Sequence, residues 1–146
     1  MSTIFTTTGN KHNDLWLVNG SPEFAIFPAG LVDGVESETP IYLKVGNLSY
    51  GETHIRSKHF HWVKKQNFQS VAELVYFKLE QPGLVYCTET DSKLKIMMRL
   101  NPSAMLVLQL YHHPHLHFSV TTIYQHQSAL DGEKLGRYPG RRKRPT

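Results

Sequence analysis

Residues 50–65 read YGETHIRSKHFHWVKK and hold His54, His59 and His61 beside Arg56, Lys58, Lys64 and Lys65. Histidine is the natural general acid and base near neutral pH. Joined to a cation and to a hydroxyl or phenol, it can cleave RNA without a metal. One group takes the 2′-hydroxyl proton, a second protonates the leaving oxygen, and a cation steadies the phosphate charge. The rest of the chain offers the missing parts: Lys95 and Arg99 in KLKIMMRL, and Thr122 and Tyr124 at the end of LHFSVTTIY.

These residues need elements that bring them together. The histidine-rich run predicts a helix, with Ile55, His59, Trp62 and Val63 on one side and His54, Lys58 and His61 along the adjacent edge. A second helix is expected from Ser70, where SVAE matches a capping box, to a stop at Pro82-Gly83. IYLKVG (41–46) reads as a short strand. LVYCTET, KLKIMMRL, AMLVLQLY and LHFSVTTIY then read as four strands, separated by DS, NPS and HHPH, each short enough for a hairpin. Helices followed by a meander argue for an α+β fold, with two helices on one face of an antiparallel sheet of four to five strands. Residues 1–40 form an irregular segment of the same domain, whose short apolar pieces LWLV and FAIF could be strands or a cover over the core, 41–130 the catalytic core and 131–146 a basic tail.

Strand alternation places Leu94, Ile96, Met98 and Leu100 toward the helices and Lys93, Lys95, Met97 and Arg99 on the other face. In the last strand Leu116, Phe118 and Val120 alternate with His117, Ser119 and Thr121. By the same parity Thr122 and Tyr124 fall with Val120 on the core side, unless the strand end outruns the helix cover or a bulge switches faces. His59, on the apolar side of its helix, is expected to pack and hydrogen-bond. Lys95 and Arg99 read as a solvated stripe or as phosphate contacts. His112, His113, His115 and His117 in YHHPHLH invite a metal reading. However, Pro114 marks a turn and no carboxylate stands nearby to support ligands. Structure or nucleic-acid contact is the simpler role, and His117 shares a face with Ser119 and Thr121.

The chain has 146 residues, a single cysteine and a formal charge of +4. That length suits one domain with a real core. One cysteine excludes an internal disulfide and a cysteine-based zinc site. No apolar run is long enough to span a membrane, and the N-terminus lacks the pattern of a signal peptide. Six of the sixteen basic groups (Lys134, Arg137, Arg141, Arg142, Lys143 and Arg144) lie in the last thirteen residues, leaving ten against twelve acidic ones elsewhere. Such an end can track a phosphate backbone or simply keep the chain soluble.

THIRSKH (53–59) and VTTIY (120–124) resemble the two markers of the BECR ribonuclease superfamily, which groups barnase, EndoU, colicin-type tRNases and RelE-like toxins. Many toxin and phage-associated members show HI followed by KH or RH, and Thr/Ser-x-Tyr near the end of the last strand. The matching positions are His54, Ile55, Lys58 and His59, then Thr122 and Tyr124. The resemblance covers residues 41–125. It implies a metal-independent endoribonuclease toxin, with His54, Thr122 and Tyr124 catalytic and Lys58 and His59 beside them; the strand pattern itself adds Lys95, Arg99, His117 and Thr121 as further catalytic or phosphate-binding candidates. It implies RNA, tRNA included, as substrate and no cofactor. It also implies a cognate immunity or antitoxin protein, and action in the cytoplasm after delivery by a larger secreted carrier or a phage. EndoU proper is expected to carry two histidines and a lysine on longer spacing, and its second histidine has no assigned counterpart in this chain. Two other function classes compete: a basic domain that binds nucleic acid without cutting it, and a histidine-dependent metalloenzyme.

Overall fold

The computed structural model describes residues 3–90, 93–100, 104–125 and 133–141; for residues 88–90, 93–95, 97, 99 and 100 the description is of the backbone. In chain order the elements are β1 (Phe5–Thr7), β2 (Trp16–Val18), β3 (Ala25–Phe27), β4 (Thr39–Tyr42), α1 (Gly51–Lys58), α2 (Phe60–Lys65), α3 (Val71–Lys78), β5 (Gly83–Thr90), β6 (Lys93–Leu100), β7 (Ala104–Tyr111), β8 (His117–Gln125) and β9 (Glu133–Tyr138). The fold is α+β. The meander β5–β8 lies at the centre of a seven-stranded sheet of order β3-β4-β8-β7-β6-β5-β9, and β1 pairs with β2 separately.

Two strands, β3 and β9, extend the expected sheet, and β4 takes up the start of IYLKVG. The N-terminal region, expected to be irregular, supplies β3 and the start of β4. β4 runs parallel to β8, with Ile41 opposite Phe118 and Tyr42 opposite Ser119. On the far side β9 pairs with β5, so residues 133–138 are not a free tail. Tyr138 is fully buried and its hydroxyl donates to the Leu79 carbonyl. Arg141 stacks on the Tyr76 ring, donates to the Tyr76 carbonyl and pairs with Glu80. Arg137 and Arg141 therefore belong to the folded body, whereas Arg142, Lys143 and Arg144 lie outside the described residues.

The helices cover one face. Ile55, Val63, Leu74 and Val75 share a core with Ile96, Met98, Leu106, Phe118 and Val120. α3 begins as its sequence suggests: Ser70 Oγ accepts from the Glu73 N–H at 3.1 Å. The Glu73 carboxylate reaches one residue past the usual capping-box partner, to the Gln69 N–H. The first expected helix breaks at His59 into α1 and α2. The N-cap of α1, Tyr50, makes no side-chain cap. Instead the N–H groups of Glu52 and Thr53 donate to the carbonyls of Lys44 and Val45, both at 3.0 Å. These bonds satisfy two orphan donors of the helix start and tie it to the chain leaving β4.

Between those points the loop turns on two glycines with positive φ, Gly46 (+70°) and Gly51 (+78°). A Cβ at Gly46 would collide with the Tyr50 carbonyl, and one at Gly51 would lie 2.7 Å from the Lys44 carbonyl oxygen. Asn47 Oδ1 accepts from the Ser49 N–H, which closes the turn locally.

Candidate active site

β8 carries a bulge. Val107 pairs with Thr122 while Leu108 pairs with Val120, so Thr121 has no partner in the β7 register. One extra residue reverses the facing of everything after it. Ile123 therefore joins Phe118 and Val120 in the core, and Thr122 and Tyr124 move to the opposite face with His117 and Ser119. Simple parity had put them on the core side; the bulge corrects that. The second face is not merely solvated either, because Met105, Val107, Tyr86 and Tyr124 form an apolar cluster on it.

α1 lies alongside β8 and directs His54 to that face. His54 Nδ1 donates to the Leu48 carbonyl at 2.9 Å. A carbonyl can only accept, so this bond assigns the ring proton of neutral His54 to Nδ1 and leaves the lone pair on Nε2. Nε2 in turn accepts from the Thr122 hydroxyl at 3.1 Å. The two residues are 68 positions apart in sequence.

At the helix break, His59 stands edge-on to His54 with ring centroids 5.7 Å apart and stacks on Tyr124 at 5.6 Å. Expected among the packing positions of an unbroken helix, it is half-buried and bridges His54 to Tyr124. Burial, and then the nearby His54 and Lys58, hold the His59 imidazole below its usual range. Lys58 itself is exposed. His54, His59, Thr122 and Tyr124 thus form one constellation with Lys58 at its rim.

The other candidates take no part in these contacts among the described residues. Thr121 is the half-buried bulge residue. Lys95 pairs with Thr88, and Arg99 with Leu84 and Met105; their side chains lie outside the described residues. His117 is 3% exposed and belongs to a separate aromatic column with Tyr111 and Tyr42. His115 bonds through Nε2 to the Tyr42 hydroxyl, His117 Nδ1 donates to the His115 carbonyl, and His112 and His113 are exposed. Among the described residues no group of three His, Cys, Asp or Glu side chains could hold a metal.

A cavity of about 720 Å³ opens elsewhere, beside the edge strand β3, lined by Glu23, Glu38, Tyr76 and Arg141 among others. It contains neither histidine of the constellation. Sequence reasoning missed the Leu48 carbonyl that sets the tautomer of His54. Its only signal was the turn-forming GNLSYG between two glycines.

No family model matches the chain, and no curated protein or solved structure matches it. No helix among the described residues is long and apolar enough to cross a membrane.

Proposed function

We propose that this chain is a metal-independent endoribonuclease. The observation that carries the reading is the meeting of His54 Nε2 with the Thr122 hydroxyl at 3.1 Å, while Nδ1 is locked on the Leu48 carbonyl. A histidine so held is poised to accept a proton at Nε2.

In the reaction, the ribose 2′-hydroxyl takes the place of the Thr122 hydroxyl as donor to His54, and the freed Thr122 hydroxyl positions the ribose and the phosphate being attacked. Nε2 removes the 2′-hydroxyl proton as the 2′-oxygen attacks the adjacent phosphorus. The bond to the 5′-oxygen breaks, and the Tyr124 phenol, positioned by its stack on His59, gives that oxygen a proton. The products are a 2′,3′-cyclic phosphate and a 5′-hydroxyl. Lys58 supplies positive charge at the rim, and Lys95 and Arg99 are phosphate contacts on the same reading. The substrate is RNA, tRNA being the one that the resemblance to colicin-type members suggests. A toxin of this kind acts in the cytoplasm of a target cell after delivery by a larger carrier or a phage. A cognate immunity or antitoxin protein would present acidic groups to the basic face.

Purified protein incubated with total RNA in excess chelator tests the reading. Cleavage is expected there. Binding without cleavage would mark a nucleic-acid-binding domain instead, and activity lost to the chelator would mark a metalloenzyme.

A further inference from the structure

Leu48 supplies the carbonyl that fixes the tautomer of His54, yet its own side chain is 73% exposed and does little to hold that carbonyl in place. The loop is anchored on either side of it instead. At one end the Gly46 N–H donates to the His12 carbonyl at 3.0 Å, and just before it the Val45 N–H donates to the Asp14 carbonyl at 2.8 Å. At the other end the Tyr50 hydroxyl donates to the same His12 carbonyl at 3.3 Å and meets the His12 Nδ1 at 3.0 Å. The Tyr50 carbonyl accepts from the Asn47 N–H at 3.0 Å, which closes residues 47–50 as a turn. Leu48 thus hangs between two attachments to one residue of the N-terminal segment.

His12 is itself held. The Asp14 carboxylate accepts from the Thr8 hydroxyl at 3.0 Å and from the Lys11 N–H at 2.8 Å. The Asp14 N–H donates back to the Lys11 carbonyl, and Thr8 Oγ1 accepts from the Leu15 N–H, both at 3.0 Å. Residues 8–15 are therefore a turn organised around one carboxylate, whose charge makes its hydrogen bonds the stronger kind. His12 lies inside that turn. Burial, and then the nearby Tyr111, hold the Tyr50 phenol above its usual range, so the hydroxyl keeps the proton it donates.

Which ring nitrogen of a neutral histidine carries the proton is set by the hydrogen bond at the other. Once the Leu48 carbonyl leaves Nδ1, the proton is free to sit on Nε2, where it blocks the lone pair that faces Thr122. We infer that Tyr50 is a positioning residue for His54: by fastening the 46–50 loop to His12, its hydroxyl keeps the Leu48 carbonyl on Nδ1 and leaves Nε2 open as an acceptor. Tyr50 acts through Leu48 and His54. Its effect on cleavage rests on the ribonuclease reading above, whereas its effect on the tautomer rests on these hydrogen bonds alone.

The test reads the tautomer itself, by nitrogen NMR of the whole chain carrying isotope-labelled histidine, at about pH 8, above the usual histidine range. Wild type should show His54 with Nδ1 protonated and Nε2 bare. Tyr50→Phe keeps the ring and loses the hydroxyl, and it should bring in the second tautomer, with Nε2 of His54 partly protonated. Its kcat for RNA cleavage should fall about fivefold, the worth of one hydrogen bond, with KM unchanged. His12→Ala, at an exposed position, keeps the backbone carbonyl and removes only the ring, so its shift should have the same sign and be smaller. It carries the test if Tyr50→Phe does not fold. A wild-type His54 protonated on Nε2 overturns the inference, as does a wild-type spectrum in folded Tyr50→Phe or, in its place, in His12→Ala, even if the protein cleaves RNA. A lower melting temperature with an unchanged His54 tautomer overturns it too, because Tyr50 then serves stability alone. The expected tautomer shift in a protein that does not cleave RNA upholds the inference and counts against the ribonuclease reading.

Discussion

His54 and Thr122 illustrate what residue types alone can and cannot reveal. Both stood out by type and motif, but the tautomer that leaves the His54 Nε2 lone pair free to accept depends on a backbone carbonyl, and carbonyls leave no trace in a sequence. Thr122→Val and Tyr124→Phe each remove one oxygen from a half-buried position. Each should lower the cleavage rate by about tenfold or more while moving the melting temperature little. A lower melting temperature with normal turnover of the folded fraction would instead assign both to structure. His59 and His117 give a prediction about pH. Burial, then neighbouring positive groups, lower His59; for His117 burial and Lys44 outweigh the backbone hydrogen bond that raises it. With folded values below the unfolded value of about 6.5, the unfolded chain binds more protons as the solution is acidified. The stability tied to both rings is full above about pH 6.5 and is lost as pH falls through their folded values. Melting temperatures between pH 7.5 and 5 should fall toward acid, and His59→Phe, which keeps a ring against Tyr124, should make that fall shallower. An identical acid limb in His59→Phe would show that the ring does not titrate in the folded state.

At the scale of elements, the meander was legible because period-two alternation and short turns mark strands strongly. AMLVLQLY became Ala104–Tyr111 residue for residue, and Ser70 capped α3 as its sequence implied. The bulge was not legible in the same way. Thr121 and Thr122 are the same residue type, acceptable on either face, so no pattern shows which one lacks a partner. The break at His59 was hidden because the apolar spacing runs through it. The loop from β4 to α1 is the element on which His54 depends most. Its turn requires the positive φ of Gly46, so Gly46→Ala should cost at least about 1 kcal/mol in urea denaturation. It should reduce cleavage further than the loss of folded protein explains, because the Leu48 carbonyl moves away from Nδ1. An unchanged urea midpoint would show that this turn does not hold the loop.

For the molecule as a whole, composition separated the ends from the body too cleanly. The basic residues after 133 suggested a detachable tail, but Tyr138 fills the core and Arg141 is clasped by Tyr76 and Glu80. GRYP looks like linker sequence, and only the tertiary pairing of β9 with β5 makes it structural. The same limit applied at the other end, where three-residue strands are too short for alternation to register. Deleting 137–146 should therefore destabilise the fold by several kcal/mol, given about 1.5–3 kcal/mol for one large buried side chain and the added loss of the Arg141 bonds. Deleting only 142–146 should leave the melting temperature nearly unchanged and flatten the salt dependence of RNA binding. Equal melting temperatures for the two truncations would mean that β9 contributes nothing. The central claim, that His54 activates a ribose hydroxyl, is tested most directly by cutting one defined oligoribonucleotide in chelator and analysing the ends. Wild type should leave a 2′,3′-cyclic phosphate and a 5′-hydroxyl, with no cut where the 2′-hydroxyl is methylated. Folded His54→Ala should be slower by roughly 10²–10⁴. Cleavage at methylated positions, 5′-phosphate ends, or wild-type speed in His54→Ala would contradict it.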